Sequence, residues 1–511
     1  MAPDAALSPA AEAAGISPAG APRTVRVAAV DLGATSGRVM AVDVSPDGVA
    51  LTEVHRFGNG ATVRDGLLVW DLPALHGHIL DGLAAAASSG PVDAVGIDTW
   101  GVDYGLLGAD GALLGDVVCY RDDRTTAVVD SFPMARSDLY AVTGIQHQRF
   151  NTVYQLAAEV AGLAPALPGG GRRIEKAERA ALMPDLLGYL LTGRVVAEVT
   201  NASTTGLLDA RTRTWSPQAH RAAGVNQTLW GPLVEPGTVI GPVQGGVAAR
   251  TGLAAGTPVI AVGSHDTASA VAAVPGLRRG AAFISSGTWS LVGIELSAPV
   301  MTEAAAAANF TGELGVDGTV RFLRNVMGLW MLEECRRDRT TSGHPQPIPD
   351  LLAAAAVVPA GSALVDAGDD VFLAPGGMQA RIADAVRAAG GRVPATPAEV
   401  TRTVVDSLAV AYADAVAQAS ALAFVPVDSV HVVGGGSRNT LLCQSTADAT
   451  GLAVHAGPGE ATVVGNALIQ ARALGAITGD LTALRGLVAA SFPTTAYLPD
   501  PASPLARKAQ S

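Results

Sequence analysis

Three stretches carry side chains able to do chemistry at a strand end. In the first, an apolar, β-branched run (Val259, Ile260, Val262) stops at Gly263-Ser-His-Asp-Thr267, and a small-residue run follows. This reads as a buried strand handing over to a helix, with Asp266 and Thr267 in N-cap positions. A carboxylate there either caps the helix or belongs to a site. On the octet alone the cap is the stronger reading, because Asp is among the commonest N-cap residues. In the second stretch, Asp31-Leu-Gly-Ala-Thr-Ser-Gly-Arg38 joins apolar strands at residues 25–30 and 39–44. It is not a Walker A loop, since the Gly-Lys-Ser/Thr ending is missing and a strand follows. Such a hairpin tip still offers N–H groups, two hydroxyls and Arg38 to a polyphosphate. Asp31 can hold Mg²⁺ through water, because that ion keeps most of its waters and favours carboxylate plus phosphate oxygens. In the third, Asp98-Thr-Trp-Gly-Val-Asp103 follows a strand at residues 92–97. Carboxylates that accept from adjacent hydroxyls, and an indole face over C–H surface, suit a polyol. A buried Trp with solvated flanking acids is the commoner meaning of such a string. Gly101 permits close backbone approach.

The elements that must position these groups repeat. The hairpin pattern recurs at residues 281–295 with the tip Ser286-Gly-Thr-Trp-Ser290. Aligning Gly33 with Gly287 sets Thr288 opposite Ala34 and Ser285 opposite Asp31, so only the first copy carries a carboxylate. Two such units predict an α/β protein of two similar lobes facing across a cleft, the place ligands prefer. The boundary falls near Pro275, giving lobes at residues 24–274 and 275–500. Helical periodicity is read at 149–160 and at 177–191, the latter stopped by Gly193. A long Ala-rich helix covers 396–422, capped at Thr396 with Pro397 first. A strand at 430–433 ends in Gly434-Gly-Gly-Ser-Arg-Asn439 before a helix at 440–450, an arrangement that lets backbone N–H groups approach a phosphate closely. Residues 168–173 read as a surface loop and Arg121-Asp-Asp-Arg124 as a solvated charge cluster. Residues 324–330 read as a loop entering an apolar helix, where Asn325 either caps the helix, the stronger reading, or hydrogen-bonds a ligand.

Composition bounds the answer. At 511 residues the chain exceeds one core. A formal net charge of −12 without any Lys/Arg run argues against nucleic-acid and membrane-surface roles. The three cysteines are far apart, with neither disulfide-framework nor zinc spacing, which fits a reducing cytoplasm. Residues 1–23 are Ala/Pro-rich, lack the basic and apolar regions of a secretory signal, and read as a disordered tail; residues 501–511 read as a second tail. No window of about 18 apolar residues is free of Gly, Pro or charge, so no membrane span is expected.

In collinear order from about Val25 to Pro499, the strings AVDLGATSGRVM, GIDTWGVD, YRDDRT, TNASTTGLLD, SHDTASAV, SSGTWSLVG, NVMGLW, VGGGSRNTLL and AGPGEATVVGN resemble the FGGY carbohydrate kinases of the actin, sugar kinase and heat-shock ATPase superfamily. GIDTWGVD and SHDTASAV are similar to the branch whose substrate is L-rhamnulose. The resemblance implies the two-lobed actin-like, ribonuclease H-like ATPase fold and transfer from Mg·ATP to the 1-hydroxyl of a small ketose. It implies that Ala34, Thr35, Ser36, Gly37, Arg38 and Thr288 bind ATP phosphates. It places Asn325, Glu333 and Gly435 at nucleotide-contact positions, and Gly101, His265, Asp266 and Thr267 at the ketose, with Asp266 the proton acceptor and Asp31 at the metal. Glu333 departs from the family pattern, which has Gln there; a carboxylate beside ATP is unfavourable unless it faces away or meets the ribose hydroxyls. ATP and ketose are the expected partners of a monomer or small homo-oligomer in the cytoplasm. Other sugar kinases of the family, acting on fuculose, xylulose or glycerol, share the transfer machinery, and an actin-like ATPase without sugar chemistry shares the fold. The cap and proton-acceptor readings of Asp266 are compatible, since a helix N-terminus keeps a carboxylate ionised and oriented.

Overall fold

The structure, a computed structural model, describes residues 23–167 and 170–506. The tail expected at 1–23 lies almost wholly outside these residues. So do residues 168 and 169 of the expected surface loop and the last five of the chain.

Two mixed sheets repeat one plan. The first runs, in spatial order, Val239–Pro242, Pro258–Ile260, Ala94–Thr99, Val25–Leu32, Ser36–Ser45 and Gly48–Gly58. The second runs Thr311–Leu314, Val320–Val326, Ser290–Leu296, Ala281–Ser286, Ser429–Val433, Ala453–Ala456 and Thr495–Tyr497. In each, a run of antiparallel strands, three in the first sheet and four in the second, adjoins two parallel ones, with the hairpin's first strand at the change of direction. The strands 25–32 and 281–286 are buried almost throughout, as the continuous apolar runs demand.

Between the sheets lie two helices, each following the sixth strand of its own sheet in chain order: Asp266–Ala272 and Ala461–Ala473. They exchange sides. Ala461–Ala473, from the second lobe, packs on strands of the first sheet, where Gln470 donates to Ala28 O at 3.2 Å and Asn466 to Gly96 O at 3.3 Å. The glycine at 465 permits this crossing, since a Cβ there would stand 1.8 Å from Ser269 O. One core therefore runs from Val27, Ala29 and Val42 of the first sheet through both helices to Phe283 and Leu323 of the second.

The long helix is Pro397–Ala423, with Thr396 and Glu399 forming a reciprocal capping box. Several expectations need correction. Residues 179–182, read as helix, form a strand paired with Tyr104–Leu107; the helix is Met183–Thr192, ended by Gly193 in the left-handed region. Arg173, read as part of a surface loop, is buried against Glu159. Leu505, inside the expected terminal tail, is fully buried in the second lobe's core.

Candidate active site

A cleft of about 1600 Å³, its open mouth included, lies between the sheets. Both hairpin tips reach it. In the first, Gly33 N donates to Ser36 O at 2.8 Å, and Asn59 braces the turn through Gly33 O and Thr35 O, at 2.8 and 3.0 Å. In the second, Gly287 N donates to Trp289 O at 2.8 Å. The Gly-rich turn packs against this second tip, where a Cβ on Gly436 would meet Ser286 Oγ at 2.0 Å. Of the expected residues, Asp31, Ala34, Thr35, Ser36, Arg38 and Gly101 line the cleft, as do His265, Asp266, Thr267, Thr288, Asn325 and Gly435.

Two do not. Gly37 sits in the strand Ser36–Ser45 with Phe57 and Leu32 packed so closely that a Cβ would lie 2.3 Å from the Phe57 ring, so its glycine is a packing requirement. Glu333 is on the outer side of helix Trp330–Thr341, 37% exposed, with Arg336 bonded to it at 2.5 and 2.8 Å. Asn325 is not a cap either. It belongs to strand Val320–Val326, and its buried Oδ1 has no protein partner.

Asp266 is the first residue of its helix, not the N-cap; His265 takes that position and makes no side-chain cap bond. Freed from capping, the Asp266 carboxylate accepts from Thr267 Oγ at 2.9 Å and keeps about a third of its side chain (34%) open to the cleft. Its depth within the protein raises its pKa through desolvation; His265 opposes the shift and the charge of Asp31 adds to it.

The turn before Asp266 hangs on one buried carboxylate. Glu198 accepts from Ser264 N and Oγ at 3.1 and 2.7 Å, from Thr200 Oγ at 2.6 Å, and from Thr200 N and Asn201 N. Thr200 Oγ in turn accepts from His265 N at 3.3 Å. Glu198→Gln strands one or more of these donors, each costing about 1–3 kcal/mol when buried unpaired. Turnover is expected to fall about tenfold or more with the KM for ATP little changed, read by steady-state kinetics.

Asp31 and Asp98 are register partners on adjacent parallel strands. Oδ2 of Asp31 accepts from Arg38 Nε and Nη2 at 2.9 and 2.6 Å, and Arg38 also pairs with Glu460 from the second lobe. Asp98 is fully buried; Asn466 donates to its Oδ2 at 2.6 Å and its Oδ1 has no partner. Burial first and the Asp31 charge second push the Asp98 carboxyl well above the usual range. Among the described residues no three His, Cys, Asp or Glu side chains gather to hold a metal. Of Asp31 and Asp98 only Asp31 lines the cleft, and a single carboxylate there suits an ion that keeps its waters and shares phosphate oxygens.

Asp103 does not serve a polyol. Its Oδ2 accepts from the indoles of Trp70 and Trp100 at 2.7 and 2.9 Å, which fixes Trp100 at the cleft wall. Burial raises its pKa to about 6, so folding favours its protonated form. That advantage is complete below about pH 4, the unfolded value, and is lost as pH rises through about 6. Asp103→Asn is expected to reduce the fall in melting temperature between pH 4 and 7 relative to the parent, measured by calorimetry. The cluster at 121–124 is likewise mostly internal. Asp122 accepts from Leu68 N at 2.8 Å and Arg124 N at 2.9 Å, and Arg124 donates to buried Gln155 at 2.7 Å. Arg121 lies over the Trp330 ring at 4.8 Å, across the lobes.

Sequence reasoning missed Gln146, Thr311, Glu313 and Glu460, which all line the cleft. Glu313 and Arg321 left a partial signal: each stands beside apolar residues inside a strand, Glu313 before Leu314 and Arg321 between Val320 and Phe322.

Two similar lobes on the actin-like ATPase plan, each lending a hydroxyl-bearing tip to a cleft with an aspartate at its floor, define a phosphotransferase. The N-terminal domain of the FGGY family of carbohydrate kinases matches residues 27–273 and the C-terminal domain 282–474, and the chain belongs to that family. It is a sugar kinase, and kinases of this family use ATP with a divalent metal. A rhamnulokinase of Bacteroides thetaiotaomicron is 42% identical over 474 residues, covering 92% of this chain and 95% of the relative. One of Enterococcus faecalis is 40% identical over 479 residues, covering 93% and 94%. Among solved structures, gluconate kinase from Lactobacillus acidophilus superposes with a TM-score of 0.75 at 17% identity, covering 96% of each chain. Xylulose kinase from Rhodospirillum rubrum gives 0.71 at 20%, covering 95% and 96%. These two share the fold. Among the described residues no helix is long and apolar enough to cross a membrane.

Proposed function

We propose that the chain transfers the γ-phosphoryl group of ATP to the 1-hydroxyl of L-rhamnulose, giving L-rhamnulose 1-phosphate in L-rhamnose degradation. The observation that carries the reading is Asp266 at the cleft floor between two phosphate-type tips, in a chain about 40% identical to rhamnulokinases along nearly its whole length. Phosphoryl transfer has a loose transition state and depends on in-line placement and charge neutralisation more than on covalent help. Ala34, Thr35, Ser36 and Arg38 on one side and Thr288 on the other face the phosphates, while Asn325 and Gly435 lie toward the nucleoside. Gly101, His265 and Thr267 orient the ketose, and Asp266 accepts the proton of its 1-hydroxyl as that oxygen attacks. Asp31 would hold Mg²⁺, which would add neutralising charge at the phosphates. The three cysteines are free and buried, in keeping with a cytoplasmic protein.

The test is a panel of L-rhamnulose, L-fuculose, D-xylulose and glycerol in a coupled ADP-release assay. L-Rhamnulose is expected to give the highest kcat/KM. Equal or better turnover of another acceptor would replace the substrate assignment, and ATP turnover indifferent to any sugar would remove the kinase reading.

A further inference from the structure

One polar device at the cleft crosses from lobe to lobe. Glu313 and Arg321 are cross-strand neighbours in the second sheet. Arg321 is fully buried, and its Nε and Nη2 donate to Leu314 O at 3.2 and 3.0 Å. Its Nη1 lies 3.1 Å from Glu313 Oε2. The same carboxylate oxygen is 3.1 Å from Nδ1 of His265, and Arg321 Nη1 is 3.2 Å from that nitrogen. His265 belongs to the first lobe, and its Nε2 is 3.7 Å from Asp266 Oδ1. The strand carrying Glu313 meets the first lobe twice more, through Leu314 N to Ser203 Oγ at 2.9 Å and Gly312 N to Gly144 O at 2.8 Å.

A buried ion pair is weak support for stability, because desolvating two charges offsets most of their attraction, and an apolar pair of similar volume often serves folding as well. What an apolar pair cannot do is hold an imidazole by one nitrogen. Nδ1 takes one partner at a time, accepting from Arg321 Nη1 when it carries no proton or donating to Glu313 Oε2 when it does, and in either state the ring is held with its Nε2 edge turned toward Asp266. We propose that Glu313, held by Arg321, is a positioning residue: it clamps His265 from the opposite lobe, so that the Nε2 edge faces the ketose beside Asp266. This rests on the reading of His265 and Asp266 given under Proposed function.

The test is a double-mutant cycle of Glu313→Gln and His265→Gln, with kcat and the KM of ketose and ATP measured separately. Glu313→Gln is expected to raise the ketose KM about fivefold or more and lower kcat, with the ATP KM within about twofold. On the His265→Gln background the same change adds less than about twofold, because its route to the substrate is gone. Glu313→Gln leaves Arg321 without a counter-ion, so Glu313→Gln/Arg321→Met is made as well; it removes both charges, keeps the melting temperature and repeats the kinetic loss. Losses that multiply independently in the cycle, or a parental ketose KM in the folded Glu313→Gln/Arg321→Met variant, overturn the proposal. Failure of the Asp266 reading shows separately, as parental turnover in Asp266→Asn, and leaves the Glu313–His265 coupling readable.

Discussion

Asp266→Asn is expected to bind ATP and ketose as the parent does while kcat falls about 10²- to 10⁴-fold, the usual worth of a positioned base. The amide keeps the shape of the carboxylate and the bond from Thr267 Oγ, so folding and affinity have no reason to change. What it cannot do is take the proton of the attacking hydroxyl. Calorimetric titration reads the binding and the coupled assay the turnover; turnover close to the parent's would sink the assignment. The same carboxyl sets a pH signature. It works deprotonated, and burial raises its pKa, so kcat is expected to be lost on acidification through a midpoint above the ordinary aspartate range.

Gly465→Ala is expected to be the most damaging single methyl group in the molecule. The added Cβ would fall 1.8 Å from Ser269 O, a backbone atom on the helix that begins with Asp266. No rotamer change relieves it, so the two crossing helices must part. Overpacking in a rigid core costs about 1–3 kcal/mol, and a backbone obstacle sets the cost at or beyond the top of that range. In a protein this large that is a fall in melting temperature of about 3 °C or more. Turnover falls too, because one helix carries Asp266 and the other carries Asn466, which holds Asp98. Gly486→Ala is the control: it lies inside helix Leu481–Ser491 with nothing within 4 Å of the new methyl, and it is expected to leave stability unchanged or raise it. Calorimetry that ranks the two variants in the opposite order would refute the crossing-point argument.

The sequence made some of this legible for identifiable reasons. Both hairpins and the strand before the Gly-rich turn show as local apolar runs broken by glycine. Their repetition spelled out a two-lobed α/β fold, because a duplicated pattern needs only alignment of the chain with itself. Asp31, Arg38, Thr288 and Asp266 could be singled out because each sits where a strand ends. Asp103 and Glu313 could not be read in the same way, since their partners Trp70 and His265 lie on other elements and only the fold brings them together. Arg124 reads as solvated beside its charged neighbours, and only its distant partner Gln155 shows that it is internal. Glu333 shows the limit of resemblance: the position matches, but the carboxylate is taken by Arg336 one turn along.

The exchange of helices between lobes bears on the order in which the chain is made. Val27, Ala29 and Val42, on the inner face of the first sheet, are covered by a helix that ends at Ala473. At ordinary elongation rates that apolar face waits on the order of a minute after its own strands are synthesised. Ribosome-stalled chains ending at Val300 are therefore expected to stay protease-sensitive and to recruit chaperones, and chains that have cleared Ala473 from the exit tunnel to turn resistant. Early resistance at Val300 would mean that the first lobe has found another cover.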